Sequence, residues 1–438
     1  MSRTLTTTRK SLMDWYTRAR SKTAARASLA IFDQAIISGI SFVTSVVVGR
    51  LAGQAELGVY ALGMSVVLLA ISVQQSLISA PHTIFVIRQQ KGRERQEYNG
   101  STLVQFFALN ATIIVALGVI AGVLLAGVGS QDRATLLLLL LLVCPAVLIR
   151  EFGRRFLFAD FRVGSALILD ASIAVLQLGL LWLLVVSEWL TGRTALIAVA
   201  LACAVSGVVW LVASWPAFQV SRGKILPEVR RNWGFGRWIF GGQVSVALVM
   251  VMLNWMLAGF KGDAATGAFG ACMMLILLAN PFILGIQNIL SPKMAEAMHE
   301  GGRSDVRRMV FASTLVLASV MAVYTLLVAV FGDWVIQFIY GDEFAGNQTT
   351  IRLLAAGAFA LAVGVSANHG LRALERPEIN FYATATGLLV ATTCAVLLIP
   401  EWGPAGAAAG YLVGCTITAI IRFAGLLHVS AAPKGDVA

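Results

Sequence analysis

Apolar residues run along this 438-residue chain in about a dozen continuous stretches that short polar connections separate. Crossing ~30 Å of hydrocarbon at ~1.5 Å per residue takes about 20 residues of helix, which is the length of these stretches. The stretches are continuously apolar and lack the apolar-polar alternation of membrane β-strands. The pattern therefore predicts an all-α polytopic membrane protein with about 12 transmembrane helices.

The predicted spans form two groups of six on either side of a polar segment. The first six cover residues 28–49, 57–80, 101–128, 134–151, 163–186 and 194–218, and the second six cover 238–260, 265–290, 308–331, 351–373, 379–399 and 404–428. We therefore expect an N-terminal six-helix bundle over 28–218 and a C-terminal six-helix bundle over 238–428. The remaining segments are a basic tail over 1–27, a linker over 219–237 and a short tail over 429–438.

The basic residues are distributed unevenly between the two ends of these spans. Of 33 lysines and arginines, 28 are assigned to the two tails, the linker and every second connection; Arg150, Arg372 and Arg422, at span ends, are included with the adjoining connection or tail. Because basic residues near span ends are retained on the cytoplasmic side, both termini are predicted to be cytoplasmic. The net charge of +11 then faces anionic lipid, so we expect membrane lipid and no nucleic acid as a partner.

A short segment of the first half recurs in the second. The connection 50–60 reads RLAGQAELGVY, and the segment 259–269 reads GFKGDAATGAF. The matched pairs are Gly53 with Gly262, Ala55 with Ala264, Gly58 with Gly267 and Tyr60 with Phe269. Both segments follow the first span of their half, so the halves are predicted to be parallel repeats. Such repeats are related by a pseudo-twofold axis along the membrane normal, with a substrate site between them.

Four further segments carry a resemblance to a known family. They are REFGRRFLFA over 150–159, GFGRW over 234–238, the pair Asn280-Pro281, and NILSPK over 288–293. With the connection 50–60, they make the chain resemble the Wzx-like oligosaccharide flippases of the multidrug, oligosaccharidyl-lipid and polysaccharide exporter superfamily. The resemblance covers most of the chain, and its motifs are diffuse.

This resemblance implies a V-shaped pair of bundles that alternates access while flipping lipid-linked oligosaccharide repeat units outward, for exopolysaccharide, capsule or O-antigen biosynthesis in a bacterial inner membrane. A polyprenyl-pyrophosphate-linked oligosaccharide would be the substrate, with polysaccharide polymerase and export proteins as cellular partners. The main alternative is a cation-coupled multidrug antiporter of the same superfamily. A membrane-integral polymerase or ligase and a nontransporting scaffold are further alternatives.

Polar residues within or beside the spans are the candidates for substrate binding. Arginine forks suit bidentate binding of phosphate, although topology alone also accounts for a basic cluster. Asparagines in apolar spans line a cavity or bond between helices. The substrate-binding candidates are Arg150, Arg154, Arg155, Arg162, Asn254, Asn280, Asn368 and Arg372.

Ionisable residues inside spans are costly and suggest coupling-ion sites. Asp33, Asp170 and His369 are the candidates here; the structural alternative pairs the carboxylates with Arg26 or Arg162. Pro281 lacks an amide donor and should kink the eighth span. The sequence contains no phosphate-binding loop, metal-spaced Cys/His set or nucleophile elbow with a triad. We therefore expect no cofactor, no metal site and no enzymatic activity.

Overall fold

A computed structural model of the chain describes residues 29, 32–89, 92–128 and 130–431, so the predicted basic tail over 1–27 lies outside it. The described residues contain no strand. The helices are α1 Phe32–Ala52, α2 Gln54–Arg88, α3 Arg93–Gly127, α4 Gln131–Ala159, α5 Val163–Val186, α6 Gly192–Ala217, α7 Arg222–Leu277, α8 Asn280–Glu300, α9 Gly302–Tyr340, α10 Gln348–Ala373, α11 Pro377–Trp402 and α12 Pro404–Ala431. Eleven of these described helices are long and apolar enough to cross a membrane.

The all-α class is confirmed. Some helices are longer than the spans that the apolar pattern predicts. α5 matches the predicted fifth span, 163–186. The fourth helix continues past 151 to Ala159, which places two more of the predicted cluster arginines, Arg154 and Arg155, inside a helix. The segment predicted as linker, 219–237, is helical from Arg222 and continuous with the seventh span. Hydropathy does not detect the end of α4 or the beginning of α7, because these parts of the two helices are polar.

The predicted kink at Pro281 is present as a break between helices. α7 ends at Leu277, and α8 begins at Asn280 with the proline in its first turn. A proline amide has no hydrogen to donate, and the first turn of a helix needs none. The eighth span is therefore divided between the last part of α7 and α8.

The matched glycines of the two halves meet each other and support the predicted repeat. Gly53 (φ 92°, ψ 173°) and Gly262 (φ 85°, ψ −177°) have the same backbone conformation. Its φ is positive, and residues other than glycine rarely adopt such a conformation. A Cβ added at Gly58 would collide with the carbonyl oxygen of Asp263, and one added at Gly267 would collide with that of Gln54. The same displacement of 209 residues relates both pairs, so the contact is reciprocal about a pseudo-twofold axis.

This glycine contact lies at one end of the bundles. We refer to the end holding the α2–α3, α4–α5, α6–α7, α8–α9 and α10–α11 connections as the basic end, which the charge pattern predicts to be cytoplasmic. The glycine contact is at the opposite end. There Arg133 pairs with Asp263, and Arg50 Nη1 donates to the carbonyl oxygens of Phe338 (2.8 Å) and Ile339 (3.0 Å). The two bundles are thus joined by polar contacts at the opposite end.

Helix α7 also joins the bundles, at the basic end. Its beginning packs against the first bundle, where Tyr98 Oη donates to Asn232 Oδ1 (3.3 Å) and Gly236 lies against the carbonyl oxygen of Ser76. Five residues later, Gly241 lies against the ring of Phe381 in α11. One continuous helix therefore passes from one bundle to the other within about two turns.

Candidate functional site

A cavity of about 350 Å³ lies between the two bundles. Tyr60 and Phe269, the aromatic pair of the sequence repeat, are both on its wall, near the glycine contact. Most of the lining is apolar, and five of the lining residues are methionines. The methionines are Met64, Met250, Met273, Met274 and Met321. The C-terminal half contributes the larger part of the wall, together with its polar groups Asn254, Asn280, Thr384, Tyr411, Thr418 and Arg422.

Arg422 is the charged residue on this wall. It lies nine residues, ~14 Å along the helix axis, inside the end of α12. Its side chain is 5% exposed, and its Nε donates to Asn380 Oδ1 (2.8 Å). No described residue accepts a hydrogen bond from its two terminal nitrogens, and no described carboxylate pairs with it. A buried guanidinium with unused donors is costly unless a ligand or water takes them.

Three more candidates of the second bundle lie outside the cavity wall, and two of them, His369 and Arg372, are near Arg422. His369 is 8% exposed, and neither ring nitrogen has a described partner. Arg372, one turn further along α10, makes no described ion pair. Asn368 likewise has a buried Oδ1 without a described partner. Within its described residues, the second bundle thus holds two arginines near one another without a compensating carboxylate.

The predicted asparagines of the seventh and eighth spans both line the cavity. Asn254 Nδ2 donates to the carbonyl oxygen of Met250 (2.8 Å), and its Oδ1 is buried without a described partner. Asn280 is exposed on the wall at the break before α8. The Oδ1 of Asn254 and the side-chain amide of Asn280 can bond a polar ligand that enters from the bundle interface.

Charged residues in the first bundle are paired with each other instead. Arg154 Nη2 donates to Asp33 Oδ2 (2.7 Å), and its Nε donates to Asp170 Oδ2 (2.9 Å). Arg150 Nη2 donates to the other oxygen of Asp170 (2.7 Å). Both carboxylates are buried, and both pair with arginines of α4. In the structural alternative, the sequence predicts Arg26 or Arg162 as their partners.

The pairing continues to a third carboxylate. Glu151 Oε1 accepts from Arg155 Nε (2.7 Å) and from Gln75 Nε2 (3.1 Å), while Arg150 lies 3.7 Å from its other oxygen. Three arginines and three carboxylates thus form one network without net charge. Arg162 is exposed at the start of α5 and is outside this network.

Arg422 is the site residue that sequence reasoning missed. The charge count assigns it to the C-terminal tail, and that assignment is wrong, because Arg422 lies inside α12 and is buried. The available signal was its position between Ile420-Ile421 and Phe423, well inside an apolar run. A cation so placed should have been treated like the two aspartates, as a costly residue that needs an explanation.

Several solved structures that are similar to this chain are described as transporters. The chain matches an inward-facing conformation of a multidrug resistance MATE family transporter of the MOP superfamily with a TM-score of 0.77 at 16% identity, over 92% of this chain and 96% of that one. An outward-facing conformation of such a transporter gives 0.64 at 14% identity, over 93% and 95%. These similarities establish the fold.

A third match shows that this fold accommodates different cavities. A MOP superfamily transporter from Pyrococcus furiosus, described as having a binding pocket of reversed polarity that suggests a different function, gives a TM-score of 0.64 at 15% identity, over 93% and 95%. No protein-family model and no curated protein matches the chain. The chain thus has the same fold as these solved structures, with two helical bundles.

Proposed function

We propose that this chain is an alternating-access transporter that flips an anionic, lipid-linked oligosaccharide between membrane leaflets. The observation that carries this proposal is the charge of the central cavity. Arg422 is on its wall, and none of the described lining residues is acidic. A cationic substrate would bring its charge next to a buried guanidinium, whereas a phosphate would satisfy the free donors.

The contacts between the bundles support the transport mechanism. The bundles meet through glycines at the opposite end, and the similarity is higher to an inward-facing structure (0.77) than to an outward-facing one (0.64). Transport would require this contact to open and the basic end to close. The substrate then moves because the cavity is exposed to each side in turn.

In this proposal Arg422 binds the pyrophosphate, and Asn254 and Asn280 bond the first sugars. The predicted headgroup arginines Arg150 and Arg154 would have to release Asp33 and Asp170 before they could bind phosphate. Arg422 has no such competitor among the described residues. We therefore place the headgroup at the second bundle.

A cation-coupled multidrug antiporter is the second candidate. The related structures are named as multidrug transporters, and the methionine-rich wall suits variable ligands because the thioether chain adapts its shape. Asp33 and Asp170 would then be the coupling-ion residues. Binding a cation there requires displacement of the guanidinium of Arg154, which now occupies the space between them.

Deleting the gene and complementing it separates these candidates. We expect the deletion to abolish surface polysaccharide and to leave lipid-linked repeat units on the cytoplasmic leaflet. The wild-type chain should restore polymer, Arg422→Gln should not, and Arg307→Gln should, because Arg307 is exposed at the basic end. Normal polymer in the deletion strain, with increased sensitivity to cationic drugs, would instead support the antiporter.

A further inference from the structure

A second cavity, separate from the central one, lies where α7 begins. Its volume is about 240 Å³, and it shares no lining residue with the central cavity. Three helices form it: α2 at its π-helical turn, α3, and the first turns of α7. The lining residues are Leu77, Ile78, Val104, Gln105, Ala108, Leu109, Ile225, Val229 and Trp233.

The cleft is apolar except for one side chain. Gln105 Oε1 accepts from Asn232 Nδ2 (2.9 Å), while its Nε2 is buried without a described partner. Trp233 is 52% exposed at the edge of the cleft, and Leu226, about two helical turns before it, is similarly exposed. Such side chains at the end of a membrane protein suit the boundary between headgroups and acyl chains.

The bases of this part of α7 divide into two sets by their surroundings. On one face, Lys224 Nζ lies 2.7 Å from Glu97, and Arg231 lies 3.5 Å from Glu228. Those cations are therefore compensated.

The other face carries uncompensated cations beside the cleft. Arg230 precedes Trp233 by three residues and Arg237 follows it by four, so all three share a face, which Arg222 also joins. These arginines are exposed, and no described carboxylate pairs with them. An apolar cleft with arginines at its rim suits a ligand that has a phosphate and a hydrocarbon chain.

We propose that this cleft binds an anionic phospholipid from the leaflet at the basic end. Its phosphate is held by Arg230 and Arg237, and part of an acyl chain lies in the cleft against Trp233. The charge pattern selects an anionic over a zwitterionic lipid, because the arginines supply uncompensated positive charge. This site does not depend on which substrate the central cavity carries.

The lipid would bind where α7 passes between the bundles. The segment 222–236 belongs to the first bundle by its contacts, and Gly241 already contacts the second. Lipid on this segment would hold it against α2 and α3. The proposal therefore makes anionic lipid a ligand of the connection between bundles.

Fluorescence quenching in nanodiscs tests the site with the full chain. Phosphatidylglycerol or phosphatidylcholine with brominated acyl chains is titrated into unbrominated phosphatidylcholine, and the Trp233 signal is the difference between wild type and Trp233→Phe. We expect quenching of this signal by the brominated anionic lipid to reach a plateau while that lipid is still a minor fraction of the bilayer. The brominated zwitterionic lipid should quench only in proportion to its amount.

Two variants make the result specific. Arg230→Gln with Arg237→Gln should abolish the preference for the anionic lipid, whereas Arg307→Gln with Arg308→Gln, the same charge change at the same end, should keep it. Ala108→Phe should fill the cleft and lower quenching although every arginine remains. Equal quenching by both lipids, or an anionic preference that survives loss of Arg230 and Arg237, would overturn the proposal.

Discussion

The two bundles share one architecture, yet their buried arginines have opposite surroundings. In the first bundle Arg154 lies between Asp33 and Asp170, and every charge of its network has a partner. In the second bundle Arg422 is equally buried, but its acceptor is the neutral side chain of Asn380. A network in which every charge is paired is expected to stabilise the fold. A buried cation without a paired carboxylate is expected to bind an anionic ligand. We therefore propose that the half of the cavity formed by the second bundle selects the substrate.

The largest effect should follow from breaking the closed network. Arg154→Met removes the guanidinium and leaves two buried carboxylates beside each other, which costs about 3–5 kcal/mol of unfolding free energy. Reversible denaturation of the purified protein measures this loss. Adding Asp33→Asn to the same chain should recover part of it, because one uncompensated charge is removed. A stable Arg154→Met protein would show that the network is dispensable.

Arg422→Gln should have the contrasting result. The substitution removes an uncompensated buried charge, so the unfolding free energy should be unchanged or higher. Transport should fall about 10- to 100-fold, because one or two charge-assisted hydrogen bonds to phosphate are lost. Denaturation and a polymer export assay on the same variant give both numbers. Lower stability with normal export would assign Arg422 to structure and reverse the comparison.

The glycine contact allows a matched pair of substitutions. Gly58→Ala and Gly267→Ala each force a Cβ against a backbone carbonyl, so each should cost about 1–3 kcal/mol in the observed state. Both should shift the protein toward opening at the opposite end, by similar amounts. Distances between spin labels on α1 and α9 measure that opening.

Gly118→Ala is the control for these substitutions, since nothing lies within 4 Å of a Cβ added there. It should leave the distances unchanged. Unequal effects of the two contact glycines would contradict the pseudo-twofold relation of the repeats.

The smallest effect is expected at Arg155. Its side chain is 39% exposed, and it pairs with Glu151 within one helix turn, so Arg155→Gln should cost less than about 1 kcal/mol. Export should stay near the wild-type level, because the headgroup is placed at Arg422. A large loss of export with normal stability would return the predicted arginine cluster to the substrate site.

Hydropathy predicted the helical class well, because spans of a bilayer must satisfy their backbone hydrogen bonds internally and be apolar outside. The bounds of α5 were predicted by its apolar stretch, and the break at Pro281 was predicted by the missing amide hydrogen of proline. The repeat of Gly58 and Gly267 was visible in the sequence, but its direct contact was not, since spacing along the chain gives no distance across an axis.

The candidate site was less predictable. Depth along a span identified Asp33 and Asp170 as unusual, but their partner depended on how α1, α4 and α5 pack. Arg422 was missed because a base near a terminus satisfies the topology rule without further explanation. A helix face that opens on a cavity cannot be distinguished by sequence from one that faces lipid when both are apolar.

Equilibrium binding to the purified protein tests the central assignment most directly. Polyprenyl pyrophosphate and a lipophilic cation of similar size are titrated against wild type, Arg422→Gln and the exposed control Arg307→Gln. We predict that the pyrophosphate binds wild type and Arg307→Gln equally and binds Arg422→Gln at least about tenfold more weakly, a loss of about 1.4 kcal/mol, while the cation binds poorly throughout. Tighter binding of the cation to wild type, with pyrophosphate binding unaffected by Arg422→Gln, would contradict the account.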